Sequence, residues 1–365
     1  MRSIFGAATE LAREMGSAVR SLLRVKRPGG DRHRDHRERR HQPAANAPRN
    51  GMDETTIRAA LLLATATVAN VQVAVGPPLP LANHHMHLIS PTAAKLLPDP
   101  IPGAASAADH LIAQMDQAHI KRGVVLSTAY WFASPRMPRA PGDEYENVRA
   151  ENDWTAREAA RFKERLIAFC SFNPLTDYAL QELERCSKHP NLKGVKLHFG
   201  NSGVDVRNRY HAQKLTSIFA SANERRLPIV VHLWSGRDYG REQAEIFLNE
   251  ILPAVQDITV QIAHFAGGGP GYTDDALAVF AEAIVRGDRR TNNLYFDVAT
   301  VADDQPADVL ATFAMRIRQI GIRRVLFGTD VAASMRQSWT TFSTTVPLTE
   351  PEFRMIAANV APYLR

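Results

Sequence analysis

The sequence predicts a (β/α)8 barrel that follows a basic N-terminal extension. Short apolar segments of β-like composition alternate with segments of helical period from residue 81 to the end of the 365-residue chain. Strict alternation of this kind is typical of a parallel sheet covered on both faces, and eight repeats in about 280 residues suit a closed barrel. An open doubly wound sheet is the alternative, but no Gly-x-Gly-x-x-Gly pattern follows the first strand. The sequence therefore favours the closed barrel.

Eight strands and eight helices can be placed in order along the chain. The predicted strands are short apolar runs, and they span 81–87, 123–129, 166–172, 193–199, 228–233, 258–264, 293–299 and 324–329. The predicted helices are polar runs with apolar residues at helical spacing, and they span 107–119, 147–162, 176–187, 210–225, 243–252, 275–286, 308–320 and 349–361. Each helix lies between two strands or after the last one, as a barrel requires.

The charge balance says little about the predicted barrel. The chain has a formal net charge of +6, but much of this excess lies in 20–49, a stretch full of Arg and His, and the remainder is close to neutral. Nucleic acid is therefore not an expected partner.

Cys170 and Cys186 are the only cysteines and have no metal-ligand spacing, so both are predicted to be packing thiols. Two cysteines do not report the redox compartment.

Residues 1–77 are predicted to be an N-terminal extension, and 78–365 the barrel. The extension is basic, and 27–51 has almost nothing to bury, so it is predicted to be largely disordered. Within 52–75 an apolar stretch of signal-peptide length is too short to span a bilayer, so no stable membrane span is expected. Acidic Asp53 and Glu54 before that stretch disfavour a signal peptide, and a short helix packed on the barrel is the alternative. We expect a cytoplasmic protein, with export through this segment as the alternative.

Four histidines and one aspartate end predicted strands. His85 and His87 end the first, His232 lies at the end of the fifth, His264 ends the sixth, and Asp330 follows the eighth. The carboxyl ends of parallel barrel strands meet at one face, where active sites of such barrels lie. Any one of these residues alone is more simply a hydrogen-bonded polar side chain. Five together predict a divalent metal site, because imidazole and carboxylate are the ligands of such ions.

Alternation along the first strand predicts which of its side chains face the barrel interior. Residues two apart share a face, so His85 and His87 should both point inward at the mouth, separated by about 7 Å of strand rise. His84 and Met86 should then face outward.

This arrangement resembles the amidohydrolase superfamily, and most closely its amidohydrolase-2 branch of metal-dependent barrel enzymes. The resemblance covers 80–365 and begins with the first strand, where the family pattern Asp-x-His-x-His is represented by Asn83 followed by His85 and His87. Replacing the leading Asp by Asn removes no ligand. By resemblance, His232 is the fifth-strand ligand, His264 the sixth-strand histidine and Asp330 the eighth-strand aspartate of a Gly-Thr-Asp motif.

The fourth strand carries Lys196 and His198 on the same face. In related binuclear enzymes a lysine of this strand is carbamylated and bridges two metals, whereas the amidohydrolase-2 branch usually holds one. We expect Lys196 to pair with a carboxylate or with substrate, and His198 to line the pocket. Loops after the strands should supply further substrate contacts, for which Tyr130, Trp234 and Arg237 are candidates, and such side chains suit a planar or carboxylate-bearing substrate.

The sequence thus predicts a metal-dependent hydrolase of small carbonyl compounds, such as amides, lactones or related C–N, C–O or C–C substrates. The expected ion is Zn²⁺, held by His85, His87 and His232, which lowers the pKa of its water towards about 7. Asp330 would ligate the ion or lie beside the water as general base, and His264 would polarise the carbonyl or orient the water.

Two other functions stay open at this point. The first is a metal-dependent decarboxylase of aromatic or enol acids, since the same branch contains such carboxy-lyases with the same ligands. The second is a non-catalytic metal-binding or scaffold barrel. The expected partner is a small-molecule substrate, and the sequence does not decide whether the protein forms a homo-oligomer.

Overall fold

The computed structural model describes residues 78–97, 107–331 and 334–365. Eight parallel strands form one sheet in the order of the sequence. The strands are Ala82–His87 (β1), Arg122–Leu126 (β2), Leu166–Ser171 (β3), Leu192–His198 (β4), Ile229–His232 (β5), Val260–Ile262 (β6), Leu294–Asp297 (β7) and Val325–Leu326 (β8). The predictions for 1–77, including the signal-like segment 52–75, lie outside the described residues.

Hydrogen bonds between the first and last strands close the sheet into a barrel. The amide of His84 donates to Phe327 O at 2.8 Å, and the amide of Asp330 donates to His85 O at 2.7 Å. Met86 and Asp330 form a parallel bridge beyond the short β8. The predicted (β/α)8 fold is therefore confirmed.

Helices lie between the strands and after the last one. They are Pro91–Ala94 (α1), Ala108–Gln117 (α2), Glu144–Ala160 (α3), Ala179–Lys188 (α4), Phe199–Ser202 (α5), Arg209–Glu224 (α6), Arg241–Ile246 (α7), Pro270–Val285 (α8), Ala307–Ile320 (α9), Met335–Thr345 (α10) and Glu350–Ala358 (α11). The buried apolar side chains between strands and helices form the main core. A second cluster, which includes Val124, Phe169 and Leu364, lies inside the barrel.

The sequence prediction missed helix α10. Its Ser- and Thr-rich sequence has a low intrinsic helix propensity. The helix buries Met335, Trp339 and Phe342, which recur at helical spacing, and the Ser334 side chain caps it by accepting a hydrogen bond from the Gln337 amide. The apolar spacing was thus the available signal, and tertiary packing outweighs propensity here.

Strand β1 contains an irregularity that the alternation rule could not predict. Asn83 pairs with Gly123 whereas Met86 pairs with Val125, so β1 has one extra residue between these pairs. Met86 is buried in the main core, as expected for an outward side chain. His84 does not simply face outward. It is fully buried, its Nδ1 donates to Phe327 O at 3.0 Å, and its Nε2 accepts from the Ala361 amide at 3.1 Å.

Cys170 and Cys186 are joined in a disulfide, with their Cα atoms 6.4 Å apart. The prediction of two packing thiols was therefore wrong. Cys170 lies in β3 and Cys186 in α4, the helix that follows it, and both are buried. The return of α4 onto the barrel brings the two sulfur atoms together, which linear spacing does not reveal.

Among the described residues, every helix is too short or too polar to span a lipid bilayer.

Candidate metal centre

Three of the predicted ligands converge at the carboxyl end of the barrel, namely His85, His87 and Asp330. The Nε2 atoms of His85 and His87 are 3.2 Å apart. Asp330 Oδ1 lies 3.3 Å from His87 Nε2 and 3.7 Å from His85 Nε2. The β1 irregularity and the ring orientations thus bring together two imidazoles that simple strand rise would separate by about 7 Å.

His264 also offers a ligand atom to this cluster. Ligand atoms of His85, His264 and Asp330 all lie within 4.8 Å of one another. The His264 ring centroid is 4.6 Å from that of His85 and 4.9 Å from that of His232. The sequence prediction gave His264 a role beside the ion, but its position also permits ligation.

Hydrogen bonds at Nδ1 fix the same tautomer in His85, His87 and His264. Nδ1 of His87 lies 2.9 Å from Leu126 O, and Nδ1 of His264 lies 3.0 Å from Ala299 O. Nδ1 of His85 lies 3.0 Å from Asp297 Oδ2. Because those oxygens can only accept, each Nδ1 must carry the proton. Each neutral ring therefore presents the lone pair of Nε2 to the site, as metal-binding histidines do.

Asp297, at the end of β7, is a site residue that sequence analysis missed. Its Oδ2 accepts from His85 Nδ1 and, at 2.6 Å, from Gln261 Nε2, while its Oδ1 accepts from the His264 amide at 3.1 Å. Burial alone raises the pKa of Asp297, but the charge and hydrogen bond of His85 outweigh it, so the pKa lies well below its usual range. The available signal was an acidic residue within the apolar predicted strand 293–299.

His232 is also a buried imidazole that offers a ring nitrogen to the site. Its ring stacks on that of His198, and its Nε2 is buried without a hydrogen-bond partner among the described residues. Burial, together with the charge of nearby His198, lowers the pKa of His232 well below its usual value. Burial likewise lowers the pKa of His85, to about 3. Both rings are therefore neutral near pH 7, the form that binds metal.

Lys196 points into the same space from β4. Its Nζ lies 3.5 Å from His85 Nε2 and is fully buried. Burial lowers the pKa of Lys196 to about 8, against the opposing charges of Asp297 and Asp330. Lys196 was predicted to pair with a carboxylate. In the structure Asp297 and Asp330 act on it through their charges, and its hydrogen-bond contact is with the His85 imidazole.

His198 has the opposite tautomer from the candidate ligands. Its Nδ1 accepts a hydrogen bond from the Asn201 amide at 3.2 Å, so Nε2 must carry the proton in the neutral ring. Burial lowers the pKa of His198 well below its usual value. The Tyr130 ring lies 5.2 Å from the His198 ring. His198 is therefore a neutral hydrogen-bond donor that lies beside His232.

The loops after β2 and β5 meet beside His198. Arg136 Nη2 donates to Ser235 O at 3.0 Å, and its charge contributes to lowering the pKa of His198. No local pattern singled out Arg136 in the sequence. Trp234 packs against Gly267, and Arg237 is exposed in the same loop.

Two residues of the site have unusual backbone conformations. His264 begins a left-handed turn in which φ is 50°, 50°, 76° and 106° at successive residues through Gly267. Asp330 has φ of 56°. Non-glycine residues in this region cost about 1–3 kcal/mol each and cluster at functional sites. The turn at His264 also explains why β6 ends earlier than predicted.

A closed parallel barrel with imidazole and carboxylate groups converging at its carboxyl mouth is the architecture of metal-dependent barrel enzymes. Residues 82–358 match the family model described as Amidohydrolase, of the amidohydrolase-2 type. The chain therefore belongs to the amidohydrolase-2 family, a family of enzymes, as the first-strand and eighth-strand motifs predicted.

Solved structures share this fold at low sequence identity. A 5-carboxyvanillate decarboxylase from Sphingomonas paucimobilis is 16% identical, with a TM-score of 0.54, over 76% of this chain and 96% of that one. A probable 2-pyrone-4,6-dicarboxylic acid hydrolase from Acinetobacter baumannii is 14% identical, with a TM-score of 0.52, over 76% and 96%. A manganese-bound 5-carboxyvanillate decarboxylase mutant from Novosphingobium aromaticivorans is 12% identical, with a TM-score of 0.51, over 77% and 95%. No curated protein sequence matches the chain.

Proposed function

We propose that this chain is a divalent-metal-dependent hydrolase of small carbonyl substrates. One observation carries the proposal: the lone pairs of His85 Nε2 and His87 Nε2 face each other at 3.2 Å, with Asp330 Oδ1 3.3 Å from the second. Three electron-rich atoms at this separation repel one another, and a divalent cation held among them would remove that repulsion. The donor set fits a divalent metal.

The proposed ligands are His85, His87, His232 and Asp330. The orphaned, buried Nε2 of His232 supports its inclusion, because a buried polar atom without a partner is costly. When bound, the ion supplies Lewis acidity that polarises a carbonyl and makes water more acidic. Zn²⁺ is our expected ion, and the manganese in one similar structure makes Mn²⁺ the alternative to test.

Asp330 is the proposed general base. Its side chain is 22% exposed, whereas that of His85 is fully buried, so Asp330 is reachable from the open mouth. It would take a proton from the attacking water and return it to the leaving group.

The different tautomers of His264 and His198 give these two histidines different proposed roles. Neutral His264 presents an acceptor at Nε2, so it can orient water but cannot donate to a carbonyl oxygen. Neutral His198 presents a donor at Nε2, so it can hydrogen-bond the carbonyl. We therefore assign water orientation to His264 and carbonyl polarisation to His198.

The pocket wall suits a planar substrate with a carboxylate. Lys196 and Arg136 supply positive charge, while Tyr130 and Trp234 supply aromatic surface. We propose that these residues, with Arg237, bind substrate.

A metal-dependent carboxy-lyase acting on an aromatic or enol acid is the second candidate. It is favoured by the Lys196 ammonium, a proton donor 3.5 Å from His85 Nε2 that could protonate a carbon atom. Two of the similar structures are decarboxylases, which agrees with this alternative.

Metal analysis and isotope labelling test the proposal. The purified chain should hold about one divalent ion, and His85→Ala and His232→Ala should lose it, while His110→Ala, an exposed histidine on α2, should not. Lactones, amides and aromatic acids are then screened in ¹⁸O-labelled water. Incorporation of label without CO₂ supports the hydrolase, whereas CO₂ release supports the lyase. Unchanged metal content in both alanine variants would show that the ligand assignment is wrong.

A further inference from the structure

The last residues of the chain fill the end of the barrel opposite the candidate metal centre. Leu364 is fully buried inside the barrel in the cluster that contains Val124 and Val230. The Tyr363 ring packs edge-on against Phe169, with ring centroids 5.2 Å apart. The C-terminal turn Pro362–Leu364 therefore acts as a plug for the amino end of the strands.

A continuous chain of hydrogen bonds leads from this plug to the metal centre. The Tyr363 hydroxyl donates to Gln261 Oε1. Gln261 Nε2 donates to Asp297 Oδ2 at 2.6 Å, and that same oxygen lies 3.0 Å from His85 Nδ1. Three hydrogen bonds thus join a side chain at one end of the barrel to a candidate ligand at the other.

The Gln261 amide gives the Tyr363 hydroxyl a specific hydrogen-bonding role in addition to packing. The two amide protons are used by Asp297 Oδ2 and, at 3.1 Å, by His84 O, which leaves only Oε1 for Tyr363. A flipped amide would turn its oxygen towards the Asp297 carboxylate, where two acceptors would repel. Donation from Tyr363 holds the amide in the orientation that supports Asp297.

We propose that Tyr363 is a positioning residue for the metal centre, acting through Gln261 and Asp297 to fix the His85 ring. This inference rests on the proposed function, because it takes His85 as a metal ligand. The Tyr363 hydroxyl, rather than the packing of the C-terminal turn, then contributes to metal affinity. Loss of a direct partner of a ligating histidine weakens metal binding about 10- to 100-fold. Removing the more distant Tyr363 hydroxyl should therefore cost less, about 3- to 10-fold.

The test compares Tyr363→Phe with Tyr178→Phe in the full chain. Tyr178 is a matched control, because its hydroxyl also donates to one side-chain oxygen, that of Glu144, at 2.8 Å, and lies outside this network. Three quantities are measured: the Zn²⁺ Kd by competition with a chromophoric chelator, the Tm of the metal-free protein, and the NMR resonance of the His85 Nδ1 proton in the metal-free protein.

We expect Tyr363→Phe to raise the Zn²⁺ Kd about 3- to 10-fold and to shift the His85 Nδ1 proton, whereas Tyr178→Phe changes neither. A further variant, Leu364→Ala, loosens the plug but keeps the hydroxyl. It should lower the Tm of the metal-free protein and leave the Zn²⁺ Kd within two-fold of the parent chain, allowing about that much for experimental error.

The inference is overturned if the His85 proton does not move in Tyr363→Phe, or if Leu364→Ala weakens Zn²⁺ binding as much as Tyr363→Phe at an equal loss of Tm. Should the parent chain bind no metal at all, the proposed function fails. The NMR comparison in metal-free protein still decides whether Tyr363 positions His85.

Discussion

The imidazole of His198 lies flat against that of His232, with ring centroids 4.0 Å apart and ring planes 11° apart. The register of β4 with β5 pairs these two residues directly, so the stack is a product of strand pairing. One ring presents a donor at Nε2 and the other an unpartnered Nε2. Adjacent strands thus place a proposed substrate contact beside a proposed metal ligand.

This stack leads to the first prediction. His198→Phe keeps an aromatic ring on His232 but removes the Nε2 proton. We expect kcat to fall about 10²–10³-fold, the usual cost of losing one donor to a developing oxyanion, with metal content unchanged. His198→Gln, whose amide can still donate, should retain more activity. Steady-state kinetics of the metal-loaded variants measure both, and a Phe variant within a few-fold of the parent would remove His198 from the mechanism.

Asp330→Asn should reduce turnover far more than substrate binding. The amide keeps the size of the side chain and one oxygen for the metal, but it cannot take a proton from water. We expect kcat to fall about 10²–10⁴-fold, the contribution of a general base. Turnover is measured across pH on the metal-replete variant, because metal loss is the confounding effect. Activity close to that of the parent chain would move the base role to His264.

Gly267→Ala should destabilise the fold through a close backbone approach. An added Cβ would lie 2.6 Å from Trp234 Cβ and 3.0 Å from Trp234 N, and φ is +106°. Gly287 is a matched control, since its φ is +71° but no atom lies within 4 Å of an added Cβ. We expect a free-energy loss of about 2–4 kcal/mol for Gly267→Ala and about 1 kcal/mol for Gly287→Ala. Chemical denaturation measures both, and equal losses would argue against the contact with Trp234.

Asp303→Asn should stabilise the protein at high pH only. Burial, together with the charge of Asp304, raises the pKa of Asp303 from its usual 3.8 to about 6. A raised carboxyl pKa favours the folded state at low pH, and this stability is lost as pH rises through about 6. The side chain is partly exposed, so we discount the shift and expect a gain of about 1 kcal/mol at pH 8 and none at pH 3.5.

Tm against pH for the parent chain and for Asp303→Asn measures this effect, with Glu164→Gln as an exposed control. A gain that is the same at both pH values would assign it to something other than titration of Asp303.

The amino-acid sequence alone predicts the barrel and the end of it where the candidate metal site lies. Alternating strand and helix patterns are local, because side-chain periodicity is set by backbone geometry within each element. The positions of His85, His232 and Asp330 at strand ends were therefore readable in order along the chain. Parallel strands then guarantee that these ends meet at one face.

How those side chains are held follows from tertiary contacts alone. The extra residue in β1 redirects His84, and long-range carbonyl and carboxylate partners fix the tautomers of His85 and His264. The network from Tyr363 to Asp297 and the Cys170–Cys186 disulfide likewise join segments that no local pattern relates. Such contacts depend on where distant backbone atoms lie after packing. The periodicity and spacing of residues along the sequence therefore cannot predict them.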